Sequence, residues 1–265
     1  MQFSTIKIKG QSLRVGIKTG SNNKPPLLIF NGLGSSLEVL QPFVNSKAVE
    51  DFEIIAFDIP GTGGSPTPFF PYRFSSMAKL ANEILDHFDY GEIDVLGVSW
   101  GGVLAQQFAK NYPDRCRNLI LASTSTGAIS FPPSPTLWIK MMTPKFYRQT
   151  AYMVGVGADL CGSLFRSDKK KAQQAENNKS EITLRGFYYQ LMACNGWTSV
   201  HWLHTLKHPT LILAGERDPI VPISNSKLMK KLLPNSQIEI LKAGHLFLMT
   251  KAELTAEHVR EFVLN

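Results

Sequence analysis

The passage from Ile93 to Gly102 restricts the fold of this chain more than any other. Ile93-Asp94-Val95-Leu96-Gly97-Val98 is a short, mostly apolar and β-branched run, and Gly102-Val103-Leu104-Ala105-Gln106-Gln107-Phe108-Ala109 has a helical pattern. Between them stands Gly97-Val98-Ser99-Trp100-Gly101, a G-x-S-x-G sequence. A strand that passes directly into a helix needs a very tight turn. Glycines on either side of the serine remove Cβ atoms that would collide there, and the serine is held in a strained conformation with its Oγ exposed. G-x-S-x-G alone arises by chance; a buried strand before it and a helix after it make it a nucleophile turn.

The rest of the chain repeats the strand-then-helix rhythm. Short apolar runs occur at residues 27–30, 53–57, 93–98, 118–122, 210–214 and 237–241, and runs of this kind fit strands buried on both faces of a parallel sheet. Helical patterns fill residues 40–49, 76–88, 100–110, 226–233 and 252–264. Residues 3–8 and 13–17 alternate apolar and polar around Lys9-Gly10-Gln11, as an antiparallel hairpin at a sheet edge does. The predicted class is α/β, with a mostly parallel, doubly wound sheet. Roughly 80 residues after the sixth strand break the rhythm and are rich in Pro, Met and aromatics; so long an insertion reads as an element of its own. The expected organisation is a core of residues 1–125 and 208–265, with a helical cap, residues 126–207, over one end of the sheet.

Composition narrows the function classes. A length of 265 residues suits one α/β domain with an insertion. The net charge of +7 could favour nucleic acid, yet no basic stripe with interleaved aromatics accompanies it. The densest run, Lys169-Lys170-Lys171, reads as a solvated helix face. Cys116, Cys161 and Cys194 are odd in number and far apart, with neither metal spacing nor a disulfide framework. No signal-peptide h-region and no apolar run of membrane-span length is present, so the expectation is a soluble, cytoplasmic protein.

A serine hydroxyl is a weak nucleophile and needs a base, which in turn needs an orienting acid. Strand ends supply both, in the chain order serine, acid, histidine. Gly215-Glu216-Arg217-Asp218-Pro219 follows one strand, and Lys242-Ala243-Gly244-His245 follows another. His245 is the expected base; His87, His201, His204, His208 and His258 fall on helix or cap patterns. Asp218, followed by a proline and an apolar loop that would cover it, is preferred over Glu216 as the acid. Two backbone N–H donors should form an oxyanion hole. Trp100, next after the serine, is one; the loop Asn31-Gly32-Leu33-Gly34 offers the other, with Leu33 preferred and Gly32 second. Asn31 is expected to pin that loop. The glycine-dense stretch from Asp58 to Pro66 lacks a P-loop lysine and a G-x-G-x-x-G, so it reads as a structural turn beside the site.

Taken together, N-G-L-G, F-D-I-P-G-T-G-G-S, G-V-S-W-G-G, L-A-G-E-R-D-P and G-H-L-F-L resemble the α/β-hydrolase superfamily. Longer stretches are more specific. Pro71-Tyr72-Arg73-Phe74, residues 85–91 and 97–108, Gly196-Trp197-Thr198-Ser199-Val200-His201-Trp202-Leu203-His204 and residues 244–250 resemble the intracellular poly(3-hydroxyalkanoate) depolymerases that act on medium-chain-length polyester. The resemblance implies an α/β-hydrolase fold, a serine ester hydrolase with Ser99, Asp218 and His245 as its triad, and release of 3-hydroxyalkanoic acids or oligomers. It implies no metal and no organic cofactor. Asn31, Trp197, Trp202 and Phe247 are the expected substrate contacts, and a polyester granule surface or hydrophobic ester the expected partner, with neither nucleic acid nor a membrane span. The first half of the cap, residues 130–166, does not match. The rivals are a general carboxylesterase, or a related hydrolase of C–C or amide bonds, and a non-catalytic ligand-binding protein of the same fold; serine at position 99 disfavours a dehalogenase with an aspartate nucleophile.

Overall fold

The computed structural model describes residues 1–21, 24–141, 143 and 182–265. Eight strands form one sheet: β1 (Gln2–Ile8), β2 (Gln11–Lys18), β3 (Leu27–Phe30), β4 (Ile54–Phe57), β5 (Ile93–Val98), β6 (Cys116–Ala122), β7 (Thr210–Gly215) and β8 (Ser236–Leu241). Their order is β1-β2-β4-β3-β5-β6-β7-β8. The β1–β2 hairpin turns on Lys9 and Gly10, both at positive φ (45° and 87°), as a two-residue hairpin loop requires. β2 joins β4 antiparallel, and every pairing from β4 onward is parallel.

The apolar runs are central strands because both of their faces are covered. Leu28, Phe30, Val95, Leu119, Leu121 and Ile212 enter one buried cluster, which helices α2 (Phe74–His87) and α3 (Trp100–Asn111) complete. The alternate residues Leu27, Ile29, Leu96, Ile120, Leu211 and Leu213 enter a second. There α1 (Gln41–Val44) and the C-terminal helix packs through Phe43, Ala256 and Val259. This period-two division of strand residues is what the pleat dictates. Each such side chain, fully buried, contributes about 1.5–3 kcal/mol.

The helix expected over residues 40–49 is instead the single turn α1 between two 3₁₀ turns, Leu37–Leu40 and Lys47–Val49. The apolar spacing suits a helix, but Pro42 fits only its first turn and Asn45 caps that turn, with Ser46 extended after it. Other boundaries shift by one to three residues. Between β6 and β7 lie α4 (Pro135–Met141) and α5 (Leu184–Cys194). After β7 come α6 (Ile223–Leu232), a short turn α7 (Phe247–Thr250) and α8 (Ala252–Leu264). Readings made for Cys161, Lys169-Lys170-Lys171 and most of residues 130–166 fall outside the described residues.

α5 docks on the core through backbone. Thr183 caps its N-terminus, accepting from the Gly186 N–H at 2.9 Å. A Cβ on Gly186 would lie 2.4 Å from the Gly61 carbonyl oxygen, and one on Gly61 2.5 Å from the Gly186 Cα. Two glycines therefore allow the helix to rest on the turn after β4. Because the core strands run parallel, their carboxyl ends share one edge of the sheet. Asn31, Asp58, Ser99, Ser123, Asp218 and His245 follow β3 to β8 there, beneath α5.

Candidate active site

Ser99 lies between β5 and α3 at φ 53° and ψ −115°, a conformation rare for a residue with a side chain. The fold holds it from several sides. Its N–H donates to the Ala122 carbonyl at 2.9 Å, and its own carbonyl accepts from the Thr124 hydroxyl at 2.7 Å. A Cβ on Gly97 would sit 2.4 Å from the Gly101 carbonyl oxygen, and a Cβ on Gly101 2.1 Å from that of Phe30. Both glycines are thus required, the first by helix α3 and the second by β3. The positive end of the α3 dipole falls at this turn.

His245 and Asp218 meet as the sequence predicts. The His245 Nδ1 lies 2.8 Å from Asp218 Oδ2. The other carboxylate oxygen accepts the N–H groups of Ile220 and Val221, each at 2.9 Å. Since a carboxylate accepts and does not donate, the pairing puts the histidine proton on Nδ1 and a lone pair on Nε2. The two loops also bond directly, Arg217 N–H to the Ala243 carbonyl at 3.0 Å. The Asp218 side chain is almost fully buried, whereas Glu216 is exposed. Ser99 and His245 line the same cavity. Ser99 Oγ has no hydrogen-bond partner among the described residues; a Ser–His bond of this kind commonly tightens only once substrate is bound.

The loop after β3 distinguishes the two donors that the sequence left competing. Gly32 N–H donates to the Asn31 side-chain oxygen at 2.9 Å. Ser35 N–H closes a turn onto the Gly32 carbonyl at 3.1 Å. Gly34, at φ 69°, donates its N–H to Gln190 Oε1 at 2.8 Å. Leu33 is left as the residue of this turn whose N–H has no acceptor among the described residues. The N–H of Trp100, first in α3, is equally free. Asn31 pins the loop at both ends of its amide, donating also to the Ser36 carbonyl at 2.8 Å.

A cavity of about 780 Å³ opens over these groups, its described walls largely apolar. Phe74, Val103, Trp138, Leu191, Trp197 and Met249 are among them. Trp197 lines the cavity: its ring lies 5.3 Å from that of Phe74 and its indole N–H bonds Gln107. Asn31 borders the cavity with its amide engaged in the loop. Two expected contacts are not brought there. Trp202 lies behind Trp197, at 5.8 Å and edge-on, with Lys110 over its ring. Phe247 is buried in the core cluster of α1 and α8, because the short turn α7 directs it inward while Leu246, Leu248 and Met249 face the cavity. Gln190 was missed. Its signal was a lone polar residue at helical spacing from Phe187 and Ala193 on a buried face.

A family model described as the alpha/beta hydrolase fold matches residues 25–252. The chain belongs to that family. Among solved structures, an enol-lactonase from Burkholderia xenovorans LB400 superposes with a TM-score of 0.86 at 18% identity, over 99% of this chain and 100% of the other. A hydrolase from Pseudomonas aeruginosa PA01 does so with 0.83 at 22%, over 98% of each. At such identities these two establish the fold alone. A curated relative is far nearer: a poly(3-hydroxyalkanoate) depolymerase of Ectopseudomonas oleovorans is 44% identical over 98% of this chain and 92% of its own length. The chain is a carboxylic ester hydrolase. No described helix is long and apolar enough to cross a membrane.

Proposed function

We propose that the chain depolymerises intracellular medium-chain-length poly(3-hydroxyalkanoate) through a serine acyl-enzyme. The 44% identity to a poly(3-hydroxyalkanoate) depolymerase, extending through the described part of the cap, carries this reading. The large apolar cavity above Ser99 suits an ester with alkyl side chains.

Ser99 Oγ attacks the ester carbonyl while its proton passes to His245 Nε2, the Nδ1–H remaining bonded to Asp218. The carbonyl oxygen becomes an oxyanion between the N–H groups of Leu33 and Trp100, near the positive end of α3. The departing alkoxide takes the proton from His245. Water then attacks the acyl-Ser99 ester, giving its proton to His245, which passes it to Ser99 Oγ as the acyl bond breaks and the 3-hydroxyacyl acid or oligomer leaves. Residues 126–207 act as a cap over this chemistry, and the protein works in the cytoplasm at the surface of polyester granules.

Purified protein offered medium-chain polyhydroxyalkanoate granules, short-chain polyester and p-nitrophenyl esters in parallel is expected to release 3-hydroxyacids fastest from the medium-chain granules. Activity restricted to soluble esters overturns the depolymerase reading in favour of a general carboxylesterase. Absence of fluorophosphonate labelling of the wild type, or equal labelling of Ser99→Ala, overturns the serine mechanism.

A further inference from the structure

Gln190 is fully buried in the middle of α5, yet it is polar and bonds two loops and one helix of the core. Its Oε1 accepts the Gly34 N–H at 2.8 Å, and its Nε2 donates to the Thr62 hydroxyl at 2.7 Å. Its backbone carbonyl accepts the indole N–H of Trp100 at 2.9 Å. A backbone N–H can only donate, which fixes the side-chain oxygen toward Gly34 and leaves the amide nitrogen for Thr62. One cap residue therefore bonds the loop after β3, the turn after β4 and the side chain of the residue after Ser99.

The consequence falls on Leu33. In the turn from Gly32 to Ser35, the Ser35 bond holds the Gly32 carbonyl and with it the Leu33 N–H of the same peptide plane. The Gln190 bond holds the adjoining plane, from the Leu33 carbonyl to the Gly34 N–H, and the two planes meet at the Leu33 Cα, so the Gln190 bond limits how far the Leu33 N–H can swing. Thr62 is itself held, by its N–H on the Ile59 carbonyl at 2.9 Å. α5 is held by Gly61 against Gly186. The chain of contacts from core to cap to Leu33 has no exposed, freely rotating link.

We propose that Gln190 is a positioning residue of the oxyanion hole, the contact through which the cap sets the direction of the Leu33 N–H. The assignment rests on the serine mechanism above. It predicts that Gln190 acts on the transition state more than on substrate binding, since the Leu33 donor meets full negative charge only there.

Gln190→Met keeps the volume and removes both side-chain bonds. On p-nitrophenyl octanoate its kcat is expected to fall about 10- to 100-fold, less than the roughly 100- to 1000-fold typical of losing an oxyanion donor outright. KM stays within about threefold, and fluorophosphonate labelling slows by the same factor as kcat. Gln190→Glu can still accept from the Gly34 N–H and from the Thr62 hydroxyl, and it recovers most of the kcat. Met-variant kcat within about twofold of wild type, a loss confined to KM, or a Glu variant no better than Met overturns the proposal. Should the Met variant fail to fold, Thr62→Val decides: a severalfold lower kcat at constant KM supports positioning, and an unchanged kcat overturns it. A wild type that neither hydrolyses the ester nor labels overturns the serine mechanism, and this assignment with it. An active wild type matched by Gln190→Met overturns this assignment alone.

Discussion

The two proposed oxyanion donors come from regions held in different ways. Trp100 belongs to a turn held by the core alone: two glycines, a strained serine, and close contact with the strand ends of β3 and β6. Leu33 belongs to a loop held by distant side chains, Asn31 at one end and Gln190, 156 residues from Gly34, at the other. The first donor is therefore fixed once β3, β5, β6 and α3 have packed together. The second is complete only when the cap helix is seated. Half of the site is a property of the core, and half is a property of the core and cap together.

Substitutions probe that contrast in order of size. Ser99→Ala removes the nucleophile and is expected to lower kcat by roughly a million-fold with little change in thermal stability, read by ester hydrolysis and a melting curve. Residual turnover above that level, at the same pH, places the attacking group elsewhere. Asp218→Asn keeps the geometry but allows the wrong histidine tautomer, and a loss near 10,000-fold is expected in kcat. Gly101→Ala strikes the donor held by the core alone. Its methyl meets the Phe30 carbonyl oxygen, which cannot move aside, so stability drops by about 2 kcal/mol or more and Tm by roughly 4–8 °C. An unchanged Tm shows that the elbow is looser than its contacts imply. Asn31→Ala strikes the remotely held donor, leaving the Gly32 N–H and the buried Ser36 carbonyl unpaired; about 1–3 kcal/mol of stability is expected to go. Its kcat falls roughly tenfold, below the 100-fold that an ångström of misplacement can cost. Trp202→Ala, outside the cavity, changes kcat/KM by about twofold at most; a larger effect brings that ring back into substrate binding.

The same contrast explains what was legible in the sequence. Ser99, Asp218 and His245 each stand at the end of an apolar strand, beside glycine or proline, so local pattern and chain order sufficed to place them. The parallel sheet was legible because its central strands, β3 to β7, are buried on both faces and read as mostly apolar runs. Leu33 and Gly32 could not be separated, because the distinction depends on which N–H groups meet side chains from elsewhere. Phe247 and Trp202 failed for a related reason. Sequence places them near His245 and Trp197, but which face of a short turn meets the cavity is decided by packing. Gln190 carried a signal, a polar residue within a buried apolar face, that names no partner until the fold is assembled.

The meeting of Gly61 with Gly186 has a practical consequence. With no side chain on either glycine, the start of α5 is indexed to the core as a key is to a shaft. Residue 190 follows one helical turn later, whatever the length of chain that arrives from the β6 side. Cap sequence upstream of Ile182 can then be exchanged for longer or shorter segments while the distance from Gly186 to Gln190 is conserved. The upstream part of the cavity wall, with Phe131 and Trp138, can accordingly be redesigned for substrate range without moving Gln190.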